Sequence, residues 1–269
     1  QAGVKVSIID PKLLPAAVGL DPKLTLGLPP GVTTATGMDA LTHAVEAYVS
    51  ELAFAQTDGW AVAATRLIIG NLEQSYRDGS DMQAREAMLL GSYLAGMAFT
   101  RAGVGYVHAI AHQFGGRYHT PHGLANAIML PHVLRFSAPA VEPQLARLAV
   151  RAKLGPEDER DEVLAQAFID GVEALNRDVG IPTTLAALRE AGATTLGATM
   201  IAGPRTPPSY IVALPPRSGA LLVAVPPSTR GPTEVHTLPY QASDGESAFE
   251  PVGEQSVGDR EPAGFVEEV

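Results

Sequence analysis

Asp39 and His43 lie four residues apart, and His108, His112 and His122 fall within one later stretch, GVGYVHAIAHQFGGRYHTPHGLANAIMLPHV. Three imidazoles and one carboxylate make a complete ligand set for a borderline divalent ion, with Asp39, His43, His108 and His122 as the donors. A four-residue spacing on a helix stacks two side chains one turn apart on one face, so Asp39 and His43 can close on a single ion. Taken alone, such a pair is more often a surface aspartate beside a core-edge histidine. The second stretch carries more weight, because five of the seven histidines lie between residues 108 and 132.

His108 and His112 repeat the four-residue spacing. Gly115-Gly116 reads as the end of their helix and Pro121-His122-Gly123 as the start of the next, so His108 and His122 can converge on one point. His112 stays open on residue pattern: a ligand in place of either neighbour, a group that orients a ligand, or an acid/base residue titrating near neutrality. His119 and His132 read as ordinary structural hydrogen-bonding residues, and His236 lies in a proline-rich tail.

Composition limits what such a site can belong to. The 269 residues can bury a sizeable core, and 19 Lys and Arg against 29 Asp and Glu give a net charge of -10, which argues against a nucleic-acid partner. No cysteine occurs, so any metal binds through N and O, and disulfides and a Cys nucleophile are excluded. With no long apolar run and no signal-like amino end, the expectation is a soluble cytoplasmic chain without a membrane partner. HAIAH lacks the Glu of the zinc-protease helix, and neither a His-Asp dipeptide nor a GxSxG elbow occurs. A metal acting as Lewis acid on an oxygen of a small substrate is the chemistry left.

The elements that must position these residues are mainly helices. Val4 to Ile9 reads as a short strand, and residues 10 to 31, with five prolines, as surface loop. Thr33 or Thr34 is expected to cap a helix in which Met38, Leu41, Val45 and Val49 recur at helical spacing. Further helices are expected near 56–77, 81–99, 102–113, 122–136, 140–153 and 160–178, which together make a helical bundle. Three regions follow: a strand and loop at 1–31, a metal-binding helical domain at 32–193, and a tail at 194–269. The tail holds 11 of the 22 prolines and reads as mostly disordered or divergent, with YIVAL and GALLVAV as pieces able to form short strands.

The segments GLPPGVTTATGMDALTHAVEAYVS, GMAFTRAGVGYVHAIAHQFGGRYHTPHGLANAIMLPHVLRF and ALNRDVGIPTTL resemble the iron-containing (group III) alcohol dehydrogenases, the family of lactaldehyde reductase and propanediol dehydrogenase. The resemblance spans roughly residues 3 to 188. It implies a nucleotide-binding α/β domain followed by a helical domain of the dehydroquinate synthase-like kind, with Fe2+ (or Zn2+) between them and NAD(P) as cofactor. By motif, the metal ligands fall on Asp39 in GMDALTH, His43, His108 in HAIAH and His122 in TPHG. His112 matches a residue near the nicotinamide and the substrate oxygen, a proton relay. Phe99 in GMAF matches an aromatic wall of the substrate pocket, and Lys5 a lysine near the cofactor phosphates. The implied reaction is hydride transfer between a small alcohol or aldehyde and the nicotinamide, in a parent that forms a homodimer.

Departures from the family pattern shape the expectation. No Gly-rich dinucleotide loop occurs in these residues, Gln113 stands where many members have Pro, and His119 where many have Asn. The chain is therefore expected to be a fragment that keeps the metal site and is inactive alone. Two rivals stand beside this reading. One is a non-catalytic metal-binding helical fragment; the other is a metal-dependent lyase of the dehydroquinate synthase kind. The lyase is disfavoured because Arg101, Arg117 and Arg135 are the nearest basic residues to the histidine cluster.

Overall fold

A computed structural model describes residues 11–118 and 120–182, together with four tail segments at 199–201, 210–213, 220–225 and 234–239. The expected strand Val4 to Ile9 lies outside the described residues. The chain divides into two compact units, residues 1–196 and 197–269.

The first unit is helical, as its periodicity requires. Its central helix, α1 (Pro30–Val49), begins earlier than the threonines suggest. Pro30 occupies the first helical position, where its fixed φ suits the helix and its missing N–H costs nothing. Thr33 and Thr34 are buried inside the first turns rather than capping them. From Met38 onward α1 is apolar on nearly every side, with Met38, Leu41, Ala44, Val45 and Ala47 fully buried. A helix of that kind must be surrounded, and α1 packs against α2 (Ala55–Arg77), α3 (Met82–Ala102) and α5 (His122–Arg151).

Polar side chains fix how these helices start. Asp81 accepts from the amides of Gln83 and Ala84, both at 3.0 Å, and so caps α3. The buried Arg85 guanidinium donates to Thr33 Oγ1 at 2.8 Å and to the Gly79 carbonyl at 2.9 Å, tying the beginning of α3 to the beginning of α1. Helix α4 (Tyr106–Tyr118) runs through Gly115 and Gly116 instead of ending there.

The two helices expected at 122–136 and 140–153 are the two halves of α5, which meet across a kink at Val141, whose φ of -129 and ψ of 21 are not helical, between Pro139 and Pro143. Pro131, deeper inside α5, has no N–H to offer the Ala127 carbonyl one turn back. Asn176 of α6 (Asp161–Asp178) fills that vacancy, its Nδ2 donating to the Ala127 carbonyl at 2.8 Å, and it is itself buried. Among the described residues, no helix is long and apolar enough to cross a membrane.

The second unit contains an antiparallel sheet in the order β1 (Thr199–Ile201), β2 (Tyr210–Ala213), β3 (Ala220–Val225) and β4 (Glu234–Pro239). Register pairs Thr199 with Val212, Ile211 with Ala224, and Leu222 with Thr237. YIVA of YIVAL forms β2 and ALLVAV of GALLVAV forms β3, and the proline pairs at 207–208, 215–216 and 226–227 lie outside the described residues.

Asn176→Ala leaves the buried Ala127 carbonyl without a donor and is expected to lower stability by about 1–3 kcal/mol. Urea unfolding would read this as a lower midpoint, and an unchanged midpoint would mean the Pro131 vacancy carries no cost.

Candidate metal centre

Helix α1 carries Asp39, His43 and Glu46 at i, i+4 and i+7, which places all three on one face of an otherwise apolar helix. Against that face α4 brings His108, and α5 opens with His122. One donor atom from each of Asp39, His43, His108 and His122 lies within 4.8 Å of every other. Asp39 Oδ1 stands 3.5 Å from His108 Nε2, 3.5 Å from His122 Nε2 and 3.9 Å from His43 Nε2. Donors held about 2.1 Å from one tetrahedral centre lie about 3.4 Å apart. The spacing and the N3O donor set fit a divalent cation.

Close packing holds the group in place. The His43 ring stacks on Phe99 at 4.0 Å and on His108 at 4.2 Å. A Cβ on Gly123 would lie 2.1 Å from the Ala35 carbonyl oxygen, so the first turn of α5 rests directly on α1. That contact, one residue after His122 and one turn before Asp39, sets how near the two donors come. His112, one turn beyond His108, is half-buried beside the group, with its ring 5.9 Å from His108 and 5.2 Å from His122.

Two further side chains belong to this centre and escape a reading of the sequence. Glu46 is 5 % exposed, and its Oε2 lies 2.6 Å from His108 Nδ1. Asn126 is fully buried; its Nδ2 donates to Asp39 Oδ1 at 2.5 Å and stands 3.0 Å from His108 Nε2 and 3.2 Å from His122 Nε2. The signal available was helical spacing: Glu46 three residues after His43, and Asn126 four after His122.

Protonation within the cluster follows from burial and mutual charge. Burial alone would raise the Asp39 carboxyl, yet the His108 contact and the charges of His43 and His122 hold it down at about 2. Burial, reinforced by the neighbouring His108 charge, pushes His43 down to about 4. Burial would lower His108 too, but Asp39 and Glu46 outweigh it and raise the imidazole to about 9.

Of the other expected positions, Lys5 and His119 lie outside the described residues. His132 is half-buried, with its pKa lowered by burial and by the Arg135 charge. His236 falls in β4.

A helical domain with four such donors at one point could hold a metal ion, and comparison with known proteins gives its family. Residues 33–202 match the C-terminal model of the Fe-containing alcohol dehydrogenase family. The chain belongs to that family. It is 46% identical over 185 residues to 1,3-propanediol dehydrogenase of Citrobacter freundii, covering 69% of this chain and 48% of the relative. Lactaldehyde reductase of Escherichia coli (strain K12) is 42% identical over 181 residues, covering 67% and 47%. A solved structure of 1,3-propanediol oxidoreductase superposes with a TM-score of 0.62 at 48% identity, over 63% of this chain and 44% of that one. An alcohol dehydrogenase from Oenococcus oeni gives a TM-score of 0.61 at 39% identity, over 65% and 45%. The chain thus spans about half the length of the curated relatives it matches.

Stability of the metal-stripped chain should depend on pH in opposite senses on the two sides of 6.5, the ordinary histidine value. His43, lowered to about 4, binds its proton more readily when unfolded, so stability is lost as the pH falls from 6.5 toward 4. Asp39, lowered from 3.8 to about 2, adds a further loss as the pH falls through that range. His108, raised to about 9, contributes stability that is complete below 6.5 and is lost as the pH rises through 9. Urea unfolding across pH 4 to 9 should show a maximum between these windows, with the alkaline loss reduced in His108→Gln. A second expectation concerns packing: Gly123→Ala must push α5 from α1, at a cost of about 1–3 kcal/mol, and weaken zinc binding measured by chelator competition.

Proposed function

We propose that this chain is the metal-holding helical part of an NAD(P)-linked alcohol dehydrogenase or aldehyde reductase acting on a small alcohol or diol. Asp39, His43, His108 and His122 are the ligands of Fe2+ or Zn2+. The observation that carries the reading is the convergence of these four donors, from three different helices, within 4.8 Å of one another. The names of the relatives, propanediol dehydrogenase and lactaldehyde reductase, support a small oxygenated substrate.

A divalent cation in this position supplies Lewis acidity toward an alcohol or carbonyl oxygen. The residues of the chain do the rest. Asp39 brings the single negative charge among the four donors. Phe99, flat against His43, forms an apolar wall beside the site. His112 flanks the ligand group without belonging to it and moves the substrate proton. Lys5 is assigned to the cofactor phosphates by motif. Cofactor contacts beyond it belong to a nucleotide-binding domain, which a Gly-rich loop normally marks and which these residues do not encode. The whole enzyme acts in the cytoplasm as a homodimer in this reading.

One rival is a metal-binding module with no catalysis of its own, since the four converging donors require no more than a bound ion. Metal content and activity separate the two. Purified chain should hold one iron or zinc ion, lost in His108→Ala, Asp39→Ala and His122→Ala and kept in His112→Ala. Joined behind a nucleotide-binding domain of the family, the chain should oxidise a small diol with NAD(P), and His112→Ala should slow that reaction by about 10²- to 10⁴-fold without loss of metal. Metal without turnover in the joined protein would favour the module; no metal at all would sink the ligand assignment.

A further inference from the structure

We propose that Glu46 is a positioning residue for the metal centre: its two carboxylate oxygens fix the tautomer of His108 and the start of the helix that carries it. The proposal rests on the reading of His108 as a ligand.

Both oxygens are engaged, and both are committed to the same element. Oε2 lies 2.6 Å from His108 Nδ1, and Oε1 accepts from the backbone N–H of Val107 at 2.6 Å. A neutral imidazole carries one proton. An acceptor against Nδ1 holds the proton there and leaves the Nε2 lone pair directed at Asp39 and His122, the form in which an imidazole binds a metal. The opposite tautomer would set an Nδ1 lone pair against a carboxylate oxygen, two acceptors face to face.

The second oxygen works on the backbone. Val107 is the second residue of α4, so its N–H has no partner within the helix. Glu46 supplies that partner from α1 and places negative charge at the amino end of α4, where the helix dipole favours it. One side chain therefore determines where the His108 backbone begins its helix, how its ring is turned and which nitrogen is bare. Space is reserved for this arrangement: a Cβ on Gly105 would come within 3.0 Å of Glu46 Oε1 and 3.3 Å of its carboxyl carbon. The contrast with His43 is informative: among the described residues its buried Nδ1 has no hydrogen-bond partner, and its ring stacks on Phe99 and His108 while Nε2 faces Asp39 at 3.9 Å.

A bland structural role would be helix capping only, and Glu46→Gln distinguishes the two. Glutamine keeps one oxygen for the Val107 amide and turns its NH2 toward Nδ1. That donor forces the His108 proton onto Nε2, the nitrogen a metal needs. The test uses the full chain, with Zn2+ affinity from chelator competition, the visible spectrum of the Co2+-loaded protein, and helix content by circular dichroism. The expected result for Glu46→Gln is unchanged helix content, Zn2+ affinity lower by about 10- to 100-fold, and shifted Co2+ bands.

Zn2+ bound as tightly as by the unaltered chain, with the same Co2+ bands, would overturn the proposal and leave the ligand assignment standing. If Glu46→Gln fails to fold, Gly105→Ala decides the matter on the same readouts, since it crowds the same carboxylate and leaves every donor in place. Weaker Zn2+ and shifted bands support the positioning role, and unchanged values overturn it. An unaltered chain that binds no Zn2+ overturns the ligand reading itself, and the role of Glu46 with it.

Discussion

The structure depends on one constraint: a stripe of polar side chains on the stretch of α1 from Gly37 to Tyr48, which is otherwise buried. Asp39, His43 and Glu46 occupy successive turns of α1, among Met38, Leu41, Ala44 and Val45, all fully buried. Polar groups in such a place are costly unless partnered. Asp39 and His43 face each other one turn apart at 3.9 Å, and the remaining partners come from other helices. The need to satisfy that stripe is what brings α4 and α5 to α1 where they are.

The two neighbours meet the requirement by different physical means. Helix α4 is drawn in by electrostatics, through a carboxylate that takes both a ring nitrogen and a backbone amide. Helix α5 is admitted by shape, since only the bare Cα of Gly123 lets its first turn lie on the Ala35 carbonyl. Asn126, one turn further along α5, then closes the group by reaching Asp39, His108 and His122 together. The remainder of α5 is tied down by Asn176 of α6, whose amide replaces the hydrogen bond that Pro131 removes. Each departure from a plain helical bundle, whether glycine, proline or buried acid, has a partner that offsets it.

How much of this was legible in the sequence follows from what spacing can encode. Asp39, His43 and the stretch holding His108, His112 and His122 were visible from residue type and spacing, while the choice of His108 and His122 over His112 came from the family resemblance. Glu46 and Asn126 were not visible, because a glutamate or an asparagine inside an amphipathic pattern looks like a solvated face, and only the three-dimensional crossing of α1, α4 and α5 buries them. Helix ends were read one turn late at Thr33 and one turn early at Gly115, since capping residues and glycines state a preference that packing overrides. The gap expected between the helices at 122–136 and 140–153 corresponds to the kink at Val141. In the tail, the apolar runs YIVA and ALLVAV, read as able to form short strands, are β2 and β3.

The lone pairs that make the centre suitable for a cation are the ones that a proton also seeks. Asp39 and Glu46 raise His108 to about 9 because they lie on either side of its ring, while burial and the same crowded charge drop His43 to about 4. Two imidazoles in stacked contact thus titrate far apart, and the difference is set by which of them faces carboxylates. A cation and a proton are alternative solutions to one electrostatic problem, the negative charge held at Asp39 and Glu46 within a buried crossing of helices. The proton satisfies it locally at His108, whereas a divalent ion would satisfy it for all four donors together. The four donors are placed within 4.8 Å of one another by three helices, and donors held on such elements are placed more precisely than donors on loops.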